Sequence, residues 1–149
     1  MSTITINMCG ISFSSPLEWM FVPTESSILA RPDSRIGFAR IYMAEGDISG
    51  PEDLHSMLPE LLSAESIPES FDIKESKRED YLFGAMSYRI KKDQRQLFTR
   101  IWYRIVDNQL FFALYGCSWR KRNQEAALRE QQQCEHMILT ARQGNLTNG

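Results

Sequence analysis

Between Phe71 and Cys117 the chain alternates apolar and polar residues through four consecutive segments, about 71–79, 82–92, 97–106 and 110–117. The breaks between them are Asp80-Tyr81, Lys92-Asp93-Gln94-Arg95 and Asp107-Asn108, all polar and of hairpin length. Period-two alternation sends successive side chains to opposite faces, and strands joined by turns this short must run antiparallel to their neighbours. Nearly a third of the chain is thereby committed to a four-stranded meander, and whatever else folds must cover its two faces.

Upstream, Ile4–Asn7 and Gly10–Phe13 have strand character and should end at Ser14-Ser15-Pro16. Trp19–Val22 and Ser27–Ala30 flank the turn Pro23-Thr24-Glu25-Ser26, and Ile36–Met43 alternates a large face with a smaller one until Asp47–Gly50. Ser49-Gly50-Pro51-Glu52 is a helix start, with Glu52 and Asp53 at the positive end of the helix dipole. Leu54, Met57, Leu58, Leu61 and Leu62 then form one apolar stripe, with a kink or break expected at Pro59 rather than a straight helix to Ala64. A longer helix is expected over about 123–141, with Ala127, Cys134, Ile138 and Ala141 inward and Leu128 and Met137 beside them. The sum is an α+β domain, an α/β/α sandwich in which a twisted antiparallel sheet of about six strands is covered by a short helix and a long one. At 149 residues the chain suits one domain, 1–142, with 143–149 as a flexible tail.

Charge is unevenly placed. Residues 1–70 contain three basic residues, Arg31, Arg35 and Arg40, against ten acidic ones, while 71–149 contain fourteen against nine. The net charge of -2 gives no global attraction to nucleic acid or anionic lipid. No apolar run is long enough for a membrane helix, and the first 30 residues hold no Lys or Arg to begin a secretory signal. Cys9, Cys117 and Cys134 are odd in number and share no short spacing, as expected for reduced thiols in the cytoplasm.

Phe13-x-x-Pro16-x-x-Trp19, preceded by Gly-Ile-Ser, resembles the opening of the PsbP-like superfamily, and Cys134–Ala141 resembles its closing helix. The resemblance spans roughly residues 10–142. It implies an α/β/α sandwich and a binding role, and transfers no catalytic residue. It also implies a bacterial, secretion-linked branch, with an immunity protein or an adaptor chaperone of a type VI-like effector as the expected roles. Exposed Met and Phe would favour the chaperone.

Chemical constellations are missing. Asp72, Glu75 and Lys77 have the residue types of a metal-dependent nuclease core, but alternation puts Asp72 and Glu75 on opposite strand faces. Cys117-Ser118-Trp119 lacks a nearby base, and Cys134-x-His136 cannot share a helix face, so neither a nucleophile nor a metal site is expected. No cofactor is called for, and no enzyme. The distinctive feature is one face of the meander, where alternation collects Arg89 and Lys91 on one strand with Arg100, Trp102 and Arg104 on the next. Trp and Arg are the residue types most enriched where proteins bind one another, so these five are the expected partner-binding residues. The competing outcome is that Trp102 lies under the last helix while the arginines reach the rim or pair with Glu125, Glu130 and Glu135. Arg120-Lys121-Arg122 would extend the positive edge if it faces the same way. The expected partner is another protein; binding of nucleic acid or a small ligand through the same Arg/Trp face is the alternative, and would weaken steeply with salt.

Overall fold

The structure, a computed structural model, describes residues 2–45, 50–62 and 68–144. The meander forms as β6 (Ser70–Lys77), β7 (Leu82–Lys92), β8 (Arg95–Val106) and β9 (Gln109–Ser118), every neighbour antiparallel. Asp93-Gln94 and Asp107-Asn108 both take positive φ at two successive residues, the type I′ geometry whose twist matches a hairpin. Upstream lie β3 (Met20–Pro23), β4 (Ile28–Arg31) and β5 (Gly37–Glu45), and β5 pairs with β9. The resulting seven-stranded order is β3-β4-β5-β9-β8-β7-β6.

A second sheet of three strands joins β1 (Thr3–Met8), β2 (Ile11–Pro16) and β10 (Arg142–Gln143). Two expectations change here. The β2 strand runs on through Ser14-Ser15 to Pro16, which sits at its last position opposite Thr3, where a missing N–H costs least. Gln143, expected to open a loose tail, pairs with Ile11, and the Gly144 N–H donates to the Gly10 carbonyl at 2.7 Å. Residues 145–149 of that tail lie outside the described residues. The described strands number ten in two sheets rather than about six in one.

Helix α1 (Glu52–Leu61) and helix α2 (Glu125–Leu139) cover opposite faces of the large sheet, giving the expected α/β/α layering. Pro59 lies inside α1 without breaking it, because it falls in the last turn where one lost bond matters little; Ala64 is outside the described residues. Leu54 and Leu58 pack on Met86, Tyr88, Ile101, Tyr103, Phe112 and Leu114. On the other face Cys134, Met137, Ile138 and Ala141 meet Ala85, Trp102, Phe111, Ala113 and Tyr115. Leu128, expected beside the inward line, is exposed, and Glu130 and Gln133 are buried in its place. No helix among the described residues is long and apolar enough to cross a membrane.

The motif Phe13-x-x-Pro16-x-x-Trp19 acquires a physical meaning. All three side chains are buried, and the Trp19 indole donates to Gln133 Oε1 at 2.7 Å, tying the end of β2 to α2. Tyrosine rings lie across two glycines of the large sheet, Tyr103 over Gly84 and Tyr115 over Gly37. Each phenol then reaches a carboxylate, Glu75 at 2.8 Å and Glu130 at 2.6 Å. A methyl at Gly84 would collide with the ring opposite, so Gly84→Ala is expected to cost about 2 kcal/mol by the overpacking of a filled core. Urea denaturation showing no loss would mean that the ring is free to move aside.

Candidate functional site

The five expected partner-binding residues do share one sheet face, as alternation requires, but that face is the one α2 covers. Trp102 is 2% exposed and belongs to the core beneath the helix, so it offers no area to a partner. Arg100 is also buried: one Nη donates to Ser87 Oγ at 2.6 Å, to the Asp72 carbonyl at 3.1 Å and to its carboxylate at 3.3 Å. Burial lowers the Arg100 pKa, and the Asp72 carboxylate opposes that shift. The contact explains a β-bulge between Phe71 and Lys74, since Asp72 takes a left-handed φ of 51° that turns carbonyl and carboxylate to the same guanidinium. Arg104 donates to the Ala141 carbonyl at the end of α2 and lies over the Tyr81 ring at 4.8 Å. Three of the five are therefore structural, a correction that follows from which face the helix covers.

Arg89 and Lys91 remain exposed. Arg89 donates to Gln96 Oε1 and lies 4.6 Å from the ring centroid of Trp119. Trp119 opens a one-turn 3-10 helix, Trp119–Lys121, directly after β9. Arg122 lies over the same indole at 3.7 Å and donates to the Trp119 carbonyl at 2.7 Å. Of the basic triplet, Arg122 thus joins the meander cation Arg89 at this ring. Phe71 and Phe98 pack on Trp119 with centroids 5.9 and 6.2 Å away. Around them Glu69, Ser70, Phe71, Arg89, Trp119 and Arg122 line an open hollow of about 550 Å³.

Trp119 is the functional candidate that sequence reasoning missed. Its signal was present in the triplet that follows it, since a large aromatic at a strand end beside three cations is placed to hold guanidiniums. Each guanidinium is stacked and hydrogen-bonded to a neutral oxygen, and neither has a carboxylate partner among the described ion pairs. Such groups are held in place yet not neutralised, an arrangement suited to an incoming carboxylate or phosphate.

The other constellations resolve into structure. Asp72 serves Arg100 and Glu75 serves Tyr103, on opposite faces of the sheet. Burial raises the Tyr103 phenol, as does its bond to Glu75. Burial likewise pushes the thiols of Cys117 and Cys134 up, opposite to what a nucleophile needs. Glu130, which the competing outcome would pair with arginines, instead receives four uncharged donors, from Ser34, Ile36, Gly37 and Tyr115.

At the level of sequence, no protein-family model and no curated protein matches. Among solved structures, cyanobacterial PsbP (CyanoP) from Synechocystis sp. PCC 6803 matches with a TM-score of 0.66 at 10% identity, over 95% of this chain and 92% of that one. The Ran-binding protein Mog1p of Saccharomyces cerevisiae matches at 0.65 and 8% identity, over 95% of each chain. LpqN of Mycobacterium tuberculosis, described as involved in cell envelope biogenesis, matches at 0.50 and 10% identity, over 97% of this chain and 91% of that one. The fold is thus the one seen in these solved structures of PsbP and Mog1p.

Proposed function

We propose that the chain is a protein-binding module without catalysis of its own, and that its partner docks on the edge formed by Phe71, Arg89, Lys91, Trp119 and Arg122. The observation that carries this reading is the pair of stacked, un-neutralised guanidiniums over Trp119. Aromatic area beside fixed Arg donors gains most when a partner excludes water from both. The likeness to a Ran-binding protein supports the class and says nothing of which partner. Between the two secretion-linked roles, the adaptor chaperone is favoured over the immunity protein by apolar side chains left in solvent, among them Met20, Ile73 and Phe38. Base stacking on Trp119 is disfavoured because guanidiniums already lie over its ring.

The test is affinity capture from the native host's lysate with wild-type bait beside Arg89→Glu/Arg122→Glu, followed by titration of the purified partner. An acidic protein retained by wild type and bound at least about 30-fold more weakly by the variant is expected, from two contacts near 1 kcal/mol or more each. Equal affinity for both baits would move the partner surface elsewhere. Retention of nucleic acid alone, released by moderate salt, would transfer the site to the ligand-binding alternative.

A further inference from the structure

We infer that a second surface, the outer face of β3, β4 and β5, docks an amphipathic helix of a partner protein, with an aliphatic stripe and acidic flanks. Register defines the face. Val22 pairs with Leu29, Leu29 with Arg40, Arg40 with Leu114, Leu114 with Ile101 and Ile101 with Met86. Directly paired residues share a face, so this row crosses six strands on one side of the sheet. Its far half, Leu114, Ile101 and Met86, is buried with α1. Among the described residues its near half has no such cover: Met20 is 66% exposed, Val22 49% and Phe38 47%. The described helical layer on this side reaches only the far half.

Size and charge select the occupant. Three strands span two interstrand spacings, about 10 Å, which is the width of one α-helix at about 10–12 Å. The four residues of β4 extend about 13 Å, enough for two to three helical turns. Met20, Leu29, Arg31, Arg35, Phe38 and Arg40 line an open groove there of about 530 Å³. All three basic residues of the first 70 thus gather at one place in a segment that is otherwise acidic. None is in an ion pair among the described residues, although Glu18 and Asp33 also border the groove. Arg35 reaches it from a left-handed turn at φ 56°, a conformation uncommon for a non-glycine residue. Here the Glu130 carboxylate grips the next two backbone N–H groups. A second copy of this chain is the poorer occupant, because packing the two faces together would oppose arginine to arginine. The groove lies at the β3 edge and the Arg89/Trp119 cluster at the β6–β7 edge, so the two surfaces can be engaged at once.

The experiment uses the full chain and a labelled model peptide of roughly 14 residues, about 21 Å as a helix, with Leu at i, i+3, i+4 and i+7 and Glu flanks. Its Lys-flanked and order-scrambled counterparts are the comparisons. Fluorescence anisotropy should show the acidic helix binding at least tenfold tighter than either counterpart, with the Met20 methyl resonance shifting on titration. Arg31→Glu/Arg40→Glu and, separately, Phe38→Glu should each weaken it about tenfold while keeping the native melting temperature. Arg89→Glu/Arg122→Glu should leave it unchanged, which separates this surface from the first. Equal binding of the scrambled peptide, an unmoved Met20 methyl, or self-association abolished by Phe38→Glu would overturn the inference.

Discussion

Trp102→Ala is expected to lower the unfolding free energy by about 4 kcal/mol, the usual cost of removing a large aromatic from a packed core. For a domain of this size that corresponds to a fall of roughly 12 °C in melting temperature. The expectation rests on position. Trp102 pairs with Ala113 and Ala85 on its neighbouring strands, both too small to fill the space under α2, so one indole spans what three residues would otherwise share. Its removal also takes away the ring beneath Arg100, whose guanidinium lies 5.7 Å from the indole centroid. Trp102→Phe should retain much of the volume and lose less. Denaturant unfolding with an unchanged m-value measures both. A loss under about 1 kcal/mol accompanied by failure to bind a partner would return Trp102 to the surface role that its strand pattern first suggested.

Glu130→Ala is expected to cost about 3–4 kcal/mol, and Glu130→Gln about 2 kcal/mol. Glu130 is 1% exposed on α2, and its carboxylate accepts Ser34 Oγ, the Ile36 N–H at 3.2 Å, the Gly37 N–H at 2.9 Å and the Tyr115 hydroxyl at 2.6 Å. Truncation leaves the buried Tyr115 hydroxyl and the half-buried N–H groups of Ile36 and Gly37 without their acceptor, which costs more than the bonds contribute. Glutamine keeps the shape but turns an NH₂ toward one of the backbone N–H groups of Ile36 and Gly37, which can only donate. The bond also helps hold the Tyr115 phenol protonated, secondary to burial itself. Because the same carboxylate shapes the turn that carries Arg35, Glu130→Gln should also weaken acidic-helix binding at the β3–β5 groove. Thermal unfolding of the two variants within about 1 kcal/mol of wild type would show that water replaces the carboxylate.

The meander was legible because its determinants are local. Two-residue polar turns and period-two alternation specify antiparallel neighbours without reference to anything distant, and Asp107-Asn108 reads as a turn on its own. The face carrying Trp102 was legible as a face. Its exposure was not, because alternation separates two sides and cannot say on which of them a helix some twenty residues later will land. Glu130 was within reach: Ala127, Glu130, Cys134, Met137, Ile138 and Ala141 follow one helical spacing, and the acid stands on that inward line. It was passed over because a carboxylate is buried only where donors from elsewhere meet it, and three of its four donors sit more than ninety residues away in and beside a turn.

By itself, then, the sequence determined the antiparallel sheet and its two covering helices, since each depends on residues close together along the chain. Tertiary structure decided which cations are structural and which remain available. Arg100 and Arg104 are taken up by Asp72 and the chain just after α2, while Arg89 and Arg122 meet over Trp119 and Arg31, Arg35 and Arg40 line one open groove. That division depends on how far each helix reaches across seven strands, a property of the packed layers that no local pattern encodes.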